Sequence, residues 1–348
     1  MKIRILLCLL FILSGCTVQE LGESEIITPV RPDNGNGEES GINDTDIMDI
    51  VEVSVFGIGR ADAVLITTEN HVVMIDTGER QHGQLIVNYL SNKGIRQIDY
   101  LIVTHFDRDH VGGAYIIIND LDVKKVIVPN YSRDSNHVSR FATAMRNNGL
   151  EAVVLTETMR LALDGAEFMI DPSQLEYMHF VRDDDIDFEH FFFDGDDEDY
   201  EYDYYEYEAA AEEAAEPTTD DFSIVVSVTH GENSLLFTGD AWTIRLQELL
   251  ENEEIMNTRY DFLKMPRHGR YNARIIEFIH AMNPRYAVIT GFHPDDLVHH
   301  YPERPADGRV VAALEYMGAE IYFAMRIGVH AKSDGAELIV GYRDFFSF

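Results

Sequence analysis

Cysteine and basic side chains are both scarce in this sequence, and each shortage excludes a class of protein. The 348 residues contain only two cysteines, Cys8 and Cys16. Two cysteines so close to the start cannot build a disulfide framework or a cysteine-ligated zinc site in the rest of the chain. The 27 basic residues stand against 62 acidic ones, which gives a formal net charge of −35. A surface of this sign repels long polyanions such as nucleic acids.

The two cysteines lie in a segment that has the features of a secretory leader. Lys2 and Arg4 begin it, and the apolar run "ILLCLLFIL" is too short for a permanent transmembrane helix. The next letters, "LSGC", resemble the lipobox of bacterial lipoproteins, which implies lipidation at Cys16. We therefore expect a lipoprotein signal peptide at 1–16, a flexible linker at 17–48, and an extracytoplasmic, membrane-anchored protein. An ordinary secretory peptide or a short anchor is the alternative.

A second unusual segment is strongly acidic and aromatic. From Arg182 to Asp221 there are nineteen acidic residues and one basic residue, and the stretch "FEHFFFDGDDEDYEYDYYEY" carries nine aromatic side chains. Such a charge run predicts a disordered, self-repelling insertion in a surface loop, which we place at 182–219. The alternative is an arm that binds cations or a basic protein partner, whose identity the sequence does not give.

The rest of the chain alternates between strand and helix patterns in two successive halves. Each half starts with hairpin strands such as "VEVSVF" and "FSIVVSVTHG", and continues with strand–helix alternation. This order predicts an α/β fold in which two sheets pack face to face with helices outside. We expect one such domain over residues 49–346.

The chemistry-bearing residues concentrate after one buried strand. "THFDRDHVGG", residues 104–113, follows the apolar run "IDYLIV" and places His105, Asp107, Asp109 and His110 within six positions. Imidazole and carboxylate groups are ligands for divalent metals, and loops at strand ends commonly carry functional residues. A hydrogen-bonded polar loop is the simpler explanation of any one of them. Four ligand types in six residues favour a metal site.

This stretch resembles the H-x-[HD]-x-D-H motif of the metallo-β-lactamase fold, in the variant that has Asp at the third position. That variant is typical of the extracytoplasmic domain of the competence protein ComEC and its stand-alone relatives. Five further stretches resemble the family's motifs in order: "FGIGRADAVLI" (56–66), "MIDTG" (74–78), "DDFSIVVSVTHGENSLLFTGD" (220–240), "FLKMPRHGRYN" (262–272) and "NPRYAVIT" (283–290). The resemblance implies a four-layered αββα sandwich.

The resemblance also assigns roles to individual residues. It makes Asp240 the carboxylate that bridges two metal ions, and His268 the ligand that completes the site from the second half. Asp62 and Asp76 are expected to hold loops rather than bind metal. The full predicted set of metal ligands is His105, Asp107, Asp109, His110, Asp240 and His268, with Asp109 and His268 as the catalytic pair.

The sequence departs from the family's motifs in its second half. The family's paired histidine is Arg267 here, and its later "GHP" is "ERP", with His299 and His300 as possible substitutes a few residues upstream. The oxygen-rich ligand set suits two divalent ions, Zn²⁺ or Mn²⁺, which together could activate a water molecule. Either a cationic rim for a phosphate or a solvated helix start would explain a cluster of four basic residues near His268, namely Lys264, Arg267, Arg270 and Arg274.

These observations predict a metal-dependent hydrolase that acts on phosphodiesters, either nucleic acid or small nucleotides. A small phosphodiester, or another ester or amide, is penalised less by the acidic surface than a long polyanion is. The alternative hypothesis is a non-catalytic surface lipoprotein that keeps the fold and binds a partner through its acidic, tyrosine-rich arm.

Overall fold

The computed structural model describes residues 49–180, 216–294 and 305–347. Residues 1–48 lie outside this range, so the leader and linker stay predictions. Of the predicted insertion, residues 182–215 also lie outside it, whereas Thr219 begins a short 3-10 helix, Thr219–Phe222. Within the described ranges, no helix has both the length and the hydropathy needed to cross a bilayer.

Seventeen strands and eight α-helices form in the described residues. The strands are Val51–Val55 (β1), Val64–Thr67 (β2), Val72–Ile75 (β3), Gln97–Ile102 (β4), Asp122–Val128 (β5), Tyr131–Arg133 (β6), Ala152–Val154 (β7), Met159–Leu163 (β8), Ala166–Asp171 (β9), Met178–Phe180 (β10), Val225–His230 (β11), Asn233–Phe237 (β12), Phe262–Lys264 (β13), Tyr286–Ile289 (β14), Glu320–Phe323 (β15), Gly328–Ser333 (β16) and Leu338–Arg343 (β17). The helices are Arg80–Asn92 (α1), Arg108–Val111 (α2), Ala114–Asp120 (α3), Asn136–Asn147 (α4), Thr243–Glu251 (α5), Glu253–Asn257 (α6), Ile275–Met282 (α7) and Gly308–Tyr316 (α8).

The strands form two large sheets of similar construction. The first has the order β17-β16-β1-β2-β3-β4-β5-β7, and the second has the order β15-β14-β13-β12-β11-β9-β8. In the first sheet, strands β17 to β3 pair antiparallel and β3 to β7 pair parallel. The second sheet likewise joins an antiparallel half, β8 to β12, to a parallel half, β12 to β15. Strands β6 and β10 form a separate parallel pair.

Three apolar clusters define four layers. The central cluster lies between the sheets, where Val53 and Ile66 of the first sheet share a core with Phe168 and Val226 of the second. Alternate residues of each strand face opposite sides of its sheet, so the outer faces are also apolar. Helices α1, α3 and α4 cover the outer face of the first sheet, and α5 to α8 cover that of the second. The predicted four-layered αββα sandwich is confirmed.

Candidate metal centre

Five loops meet at one edge of the sandwich, and each follows the carboxyl end of a strand that has a parallel neighbour. They follow β3, β4, β12, β13 and β14. Parallel strands bring their carboxyl ends to the same edge, which is the usual ligand-binding edge of such sheets. The residues that these loops contribute are Asp76, Thr104–His110, Gly239–Asp240, Pro266–Gly269 and Thr290.

The loops after β3 and β4 are held together by one carboxylate. Asp76 Oδ1 accepts a hydrogen bond from the backbone N–H of Thr104 (2.8 Å), and Asp76 Oδ2 accepts one from the Thr104 hydroxyl (2.6 Å). Its Oδ2 also accepts from His110 Nδ1 at 2.8 Å. The expectation that Asp76 holds a loop is therefore met, and Asp76 additionally fixes the orientation of a predicted metal ligand.

Close backbone approach brings the loop after β12 against the loop after β4. Gly239 has φ +51°, and a Cβ at this position would lie 2.9 Å from the Thr104 side chain. Only glycine avoids both the steric contact and the cost of the left-handed conformation. Asp240 thereby reaches His110, whose Nε2 lies 3.3 Å from Asp240 Oδ1.

Four side chains form a group that we call the cation pocket: Asp109, His110, Asp240 and His268. Each offers one ligand atom, and these four atoms lie within 4.8 Å of one another. His268 Nε2 is 3.3 Å from Asp109 Oδ2 and 3.3 Å from Asp240 Oδ2. The structure therefore brings together four of the six predicted ligands, drawn from both halves of the chain.

Each of the two imidazoles of the cation pocket is oriented by a hydrogen bond from its Nδ1. His110 Nδ1 donates to the Asp76 carboxylate, and His268 Nδ1 donates to the carbonyl of Thr290 at 3.0 Å. In a neutral imidazole whose Nδ1 carries the proton, Nε2 presents a lone pair. This hydrogen bond to the non-ligating nitrogen is the arrangement that supports histidine ligands in metal sites.

Several atoms that face the pocket lack a hydrogen-bond partner. Among the described residues, the buried atoms without one include His105 Nε2, His110 Nε2, His268 Nε2 and Asp240 Oδ1. A buried polar atom left unpaired costs about 1–3 kcal/mol, so a concentration of them calls for a ligand. Imidazole nitrogens and carboxylate oxygens together suit Zn²⁺ or Mn²⁺, so these residues fit a divalent ion.

Charge coupling in the pocket is strong. Burial alone disfavours the charged form of His110, but the carboxylates of Asp240 and Asp76 outweigh it and raise the pKa of His110 well above its ordinary value. Burial likewise opposes ionisation of Asp240, yet His268 and His110 hold the pKa of Asp240 well below its ordinary value. Since metal ligands must be deprotonated, a bound cation would displace the protons that balance the carboxylates here.

A second group, which we call the arginine pocket, consists of His105, Asp220 and Arg267. It adjoins the cation pocket because His105 and Asp220 each offer a ligand atom close to Asp240. His105 Nε2 lies 3.7 Å from Asp220 Oδ1, and Arg267 Nε lies 2.7 Å from Asp220 Oδ2. Burial, with a contribution from Asp107, raises the pKa of Asp220 to about 6 although Arg267 opposes this rise.

Asp220 was missed by sequence reasoning, which counted it among the charges of the acidic segment. It is 4% exposed, and the adjacent Asp221 is 2% exposed. Asp221 Oδ1 accepts the backbone N–H groups of Ile244 (2.9 Å) and Arg245 (3.2 Å) in the first turn of α5, which fixes the 3-10 helix that carries Asp220. The available signal was the position of this Asp-Asp pair directly before the apolar run "FSIVVSV".

The structure does not bring Asp107, the remaining predicted ligand, into either pocket. Its Oδ1 pairs with Arg133 Nη1 and accepts from the Thr219 hydroxyl at 3.0 Å. Asp107 is the N-cap residue of α2, where the chain changes direction. Asp107 keeps an extended backbone, and its carboxylate contacts Arg133 and Thr219 instead of His105.

Lys264, one of the four basic residues near His268, belongs neither to an exposed rim nor to a solvated helix start. Lys264 is 1% exposed, and its ammonium pairs with Asp62 and donates to the carbonyl of Gly239 at 3.0 Å. Arg274 pairs with Glu277 at 3.0 Å. Lys264 ends β13 in the centre of a sheet, so its charge neutralises the interior and is not available to a substrate. Asp62 holds loops as expected, because it also accepts from the Thr290 hydroxyl at 2.6 Å.

The profile of the Metallo-beta-lactamase superfamily matches residues 57–293. This range contains both pockets and all six predicted ligands. The chain belongs to the metallo-beta-lactamase superfamily. It therefore has the fold of a superfamily of metal-dependent hydrolases, with candidate metal-binding residues in the expected loops.

Curated relatives share part of this chain. ComE operon protein 3 of Bacillus subtilis (strain 168) is 25% identical over 258 residues, which is 69% of this chain and 28% of that protein. Competence protein ComA of Neisseria gonorrhoeae is 39% identical over 62 residues, which is 18% of this chain and 9% of that protein. The matched regions thus span less than a third of these relatives' lengths.

Solved structures that match this chain are distant in sequence. The metallo-beta-lactamase fold protein YhfI from Bacillus subtilis has a TM-score of 0.47 at 10% identity, covering 84% of this chain and 100% of that one. Igni18, a metallo hydrolase from Ignicoccus hospitalis, has a TM-score of 0.41 at 14% identity, covering 84% and 98%.

Proposed function

We propose that this chain is a metal-dependent hydrolase that cleaves phosphodiester bonds, in small nucleotides or nucleic-acid fragments, at the cation pocket. The observation that carries the proposal is the convergence of His110 Nε2, His268 Nε2 and Asp240 Oδ1, all buried and without a hydrogen-bond partner. The opposite nitrogen of each imidazole is already fixed. Metal catalysis requires ligand atoms that are held in place and are not occupied by hydrogen bonds.

The ion that we propose is Zn²⁺ or Mn²⁺. When bound, such an ion supplies Lewis acidity, which polarises a phosphoryl oxygen and lowers the pKa of water. A second ion of the predicted pair would have His105, Asp220 and Asp240 as its donors. Asp220, however, already faces the guanidinium of Arg267.

Asp109 and His268 are the proposed catalytic pair. The side chain of Asp109 is 22% exposed, whereas those of His110, Asp240 and His268 are at most 6% exposed. Asp109 therefore stands at the mouth of the pocket, where its carboxylate can orient an entering water molecule and accept its proton. His268, whose Nε2 lies 3.3 Å from Asp109 Oδ2, would hold the ion beside that carboxylate.

A phosphodiester is favoured over a neutral ester or amide because of the fixed positive charge beside the pocket. Arg267 is 24% exposed and stacks over the ring of Trp242, with its Cζ 4.0 Å from the ring centroid. A guanidinium is always charged and can form paired hydrogen bonds with phosphate oxygens. The overall acidity of the chain favours a small substrate over a long polyanion.

Hydrolysis of bis-p-nitrophenyl phosphate tests this proposal. Chelator-treated protein should be inactive and should regain activity with added Mn²⁺ or Zn²⁺. Asp109→Asn should lower the rate by at least ~100-fold, since it removes a ligand and the proton acceptor. Asp122→Asn, the same change at an exposed surface position, is the matched control. Equal rates in wild type and Asp109→Asn would refute the assignment.

The alternative hypothesis, a non-catalytic binding protein, would replace this proposal if the purified chain held no metal and hydrolysed no ester. The acidic, tyrosine-rich arm on which that alternative depends lies mostly outside the described residues. A protein partner for it remains a proposal. Deleting residues 183–215 and comparing capture of basic proteins with the intact chain would test it, and unchanged capture would exclude a role for the arm.

We further propose that the protein is anchored outside the cytoplasm through a lipid on Cys16. The support is the "LSGC" motif after a leader-like apolar run. Cys16→Ser should move the protein from the membrane fraction to the soluble fraction. Identical fractionation of the variant and the wild type would exclude the lipid anchor.

A further inference from the structure

We propose that this chain binds a single divalent ion, in the cation pocket, and that the guanidinium of Arg267 takes the place of a second ion in the arginine pocket. This inference rests on the proposed metal-dependent function, and it departs from the two-ion site that the sequence predicts. It follows from the contacts that the donor atoms of each pocket already make.

The carboxylates that would hold a second ion face arginine side chains, although His105 Nε2 has no hydrogen-bond partner. Asp107, the ligand that the family motif would supply next to His105, pairs with Arg133 and accepts from Thr219. Asp220 faces His105 but is 2.7 Å from Arg267 Nε. An ion between His105 and Asp220 would therefore stand within a few ångströms of a permanent positive charge, which repels it. In the cation pocket the ammonium of Lys264 lies farther away, 3.8 Å from Asp240 Oδ1, and it is paired with Asp62.

Arg267 is held in this position from three sides. Its guanidinium pairs with Asp220 and stacks over Trp242, and its backbone N–H donates to the carbonyl of Gly239 at 3.3 Å. Arg267 and His268 both have left-handed backbone conformations, with φ of 44° and 53°. Strained residues of this kind persist only where the surroundings fix them, and they concentrate at functional sites. The left-handed turn directs His268 into the cation pocket and Arg267 into the arginine pocket.

The active site would then combine one metal ion with one arginine side chain. The ion supplies one positive charge centre, and Arg267 supplies the other as a rigid hydrogen-bond donor that is partly open to solvent. A guanidinium binds phosphate oxygens but does not bind water as a metal does. Arg267 is therefore assigned to substrate binding.

Metal content measured by plasma mass spectrometry tests the inference without reference to activity. After equilibration with Mn²⁺ or Zn²⁺ and removal of the excess, the wild type should hold one ion per chain. Arg267→His removes the guanidinium and adds an imidazole, so this variant should hold two. Arg267→Lys keeps the positive charge and should hold one. Arg270→His, the same new side chain three positions along, is the matched control and should also hold one.

Each outcome decides the point. Two ions per wild-type chain, or one ion in Arg267→His, would overturn the inference while leaving the proposed hydrolase intact. No ion in the wild type would overturn the proposed function itself. If Arg267→His does not fold, Asp220→Asn provides the second test. It should keep one ion, whereas loss of the ion would place the metal in the arginine pocket and overturn the inference.

Discussion

The cation pocket and the arginine pocket share Asp240 but differ in what their other donor atoms contact. In the cation pocket, each imidazole is supported at Nδ1 and has no partner at Nε2. In the arginine pocket, His105 Nε2 likewise has no partner, but the carboxylate of Asp220 is paired with Arg267. The difference teaches that residue type alone does not define a metal ligand. We infer that an aspartate is available as a ligand where no arginine is paired with its carboxylate.

The largest expected effect comes from removing the shared carboxylate. Asp240→Asn takes one donor from each pocket and leaves His110 and His268 facing a neutral amide. We expect loss of bound metal and a fall in phosphodiester hydrolysis of at least ~100-fold. Metal analysis and initial rates provide the measurement. Retention of both metal and activity would contradict the role of Asp240 as a shared ligand, because neither pocket would then need its carboxylate.

The support of His110 should matter next. Asp76→Asn weakens the hydrogen bond that fixes the His110 ring and should lower metal affinity by about 10–100-fold. Thr104→Val is the comparison variant, because it removes a hydroxyl bonded to Asp76 Oδ2 but leaves the Asp76–His110 contact in place. Titration against a competing chelator gives both affinities. Equal losses in the two variants would mean that Asp76 acts only by holding the loop.

Thermal stability should separate the two pockets. At 100 times its dissociation constant, a bound ion adds about 2.7 kcal/mol to the free energy of unfolding, which raises the apparent Tm by about 5 °C. Asp109→Asn should abolish this shift, whereas Asp220→Asn should preserve it. Differential scanning calorimetry with and without Mn²⁺ measures it. The reverse pattern would assign the ion to the arginine pocket.

The smallest effect on the site is expected from a carboxylate at the opposite end of β3. Asp164 accepts hydrogen bonds from Thr68, Asn70 and His71, and these contacts outweigh burial and hold the pKa of Asp164 below its ordinary value. A lowered folded-state pKa stabilises the protein above the unfolded pKa of about 4, and this contribution is lost as the pH falls through the folded value.

Asp164→Asn should therefore cost about 1–2 kcal/mol of unfolding free energy at pH 7 and less near pH 3. Urea denaturation at the two pH values measures this difference. Metal content should not change, because this carboxylate is satisfied by the protein. A loss of bound metal in Asp164→Asn would contradict the separation of structural from ligand carboxylates.

Sequence patterns anticipated the sandwich and the first half of the site for clear physical reasons. The order of hairpin strands followed by strand–helix alternation could be predicted in both halves, because the periodicity of apolar residues is a local property of the sequence. His105, Asp109 and His110 follow one buried strand, so their proximity needs no tertiary information. Asp240 and His268 were reached through the family resemblance alone, because nothing local brings β12 and β13 beside β4.

The remaining features depend on tertiary contacts that the sequence does not display. Asp107 meets Arg133 only because β6 lies beside the turn into α2. Asp220 was concealed in a run of surface charge, and its burial depends on Asp221 capping α5. Lys264 was expected to be exposed, at a rim or at a helix start, but its position at the end of a central strand buries it against Asp62. His299 and His300, the other possible ligands, lie outside the described residues.

The most direct test of this account is an anomalous difference map from crystals grown with Mn²⁺. We expect one peak per chain, bound by Asp109, His110, Asp240 and His268, with the Arg267 guanidinium paired to Asp220 beside it. A peak between His105 and Asp220, alone or together with the first, would contradict it.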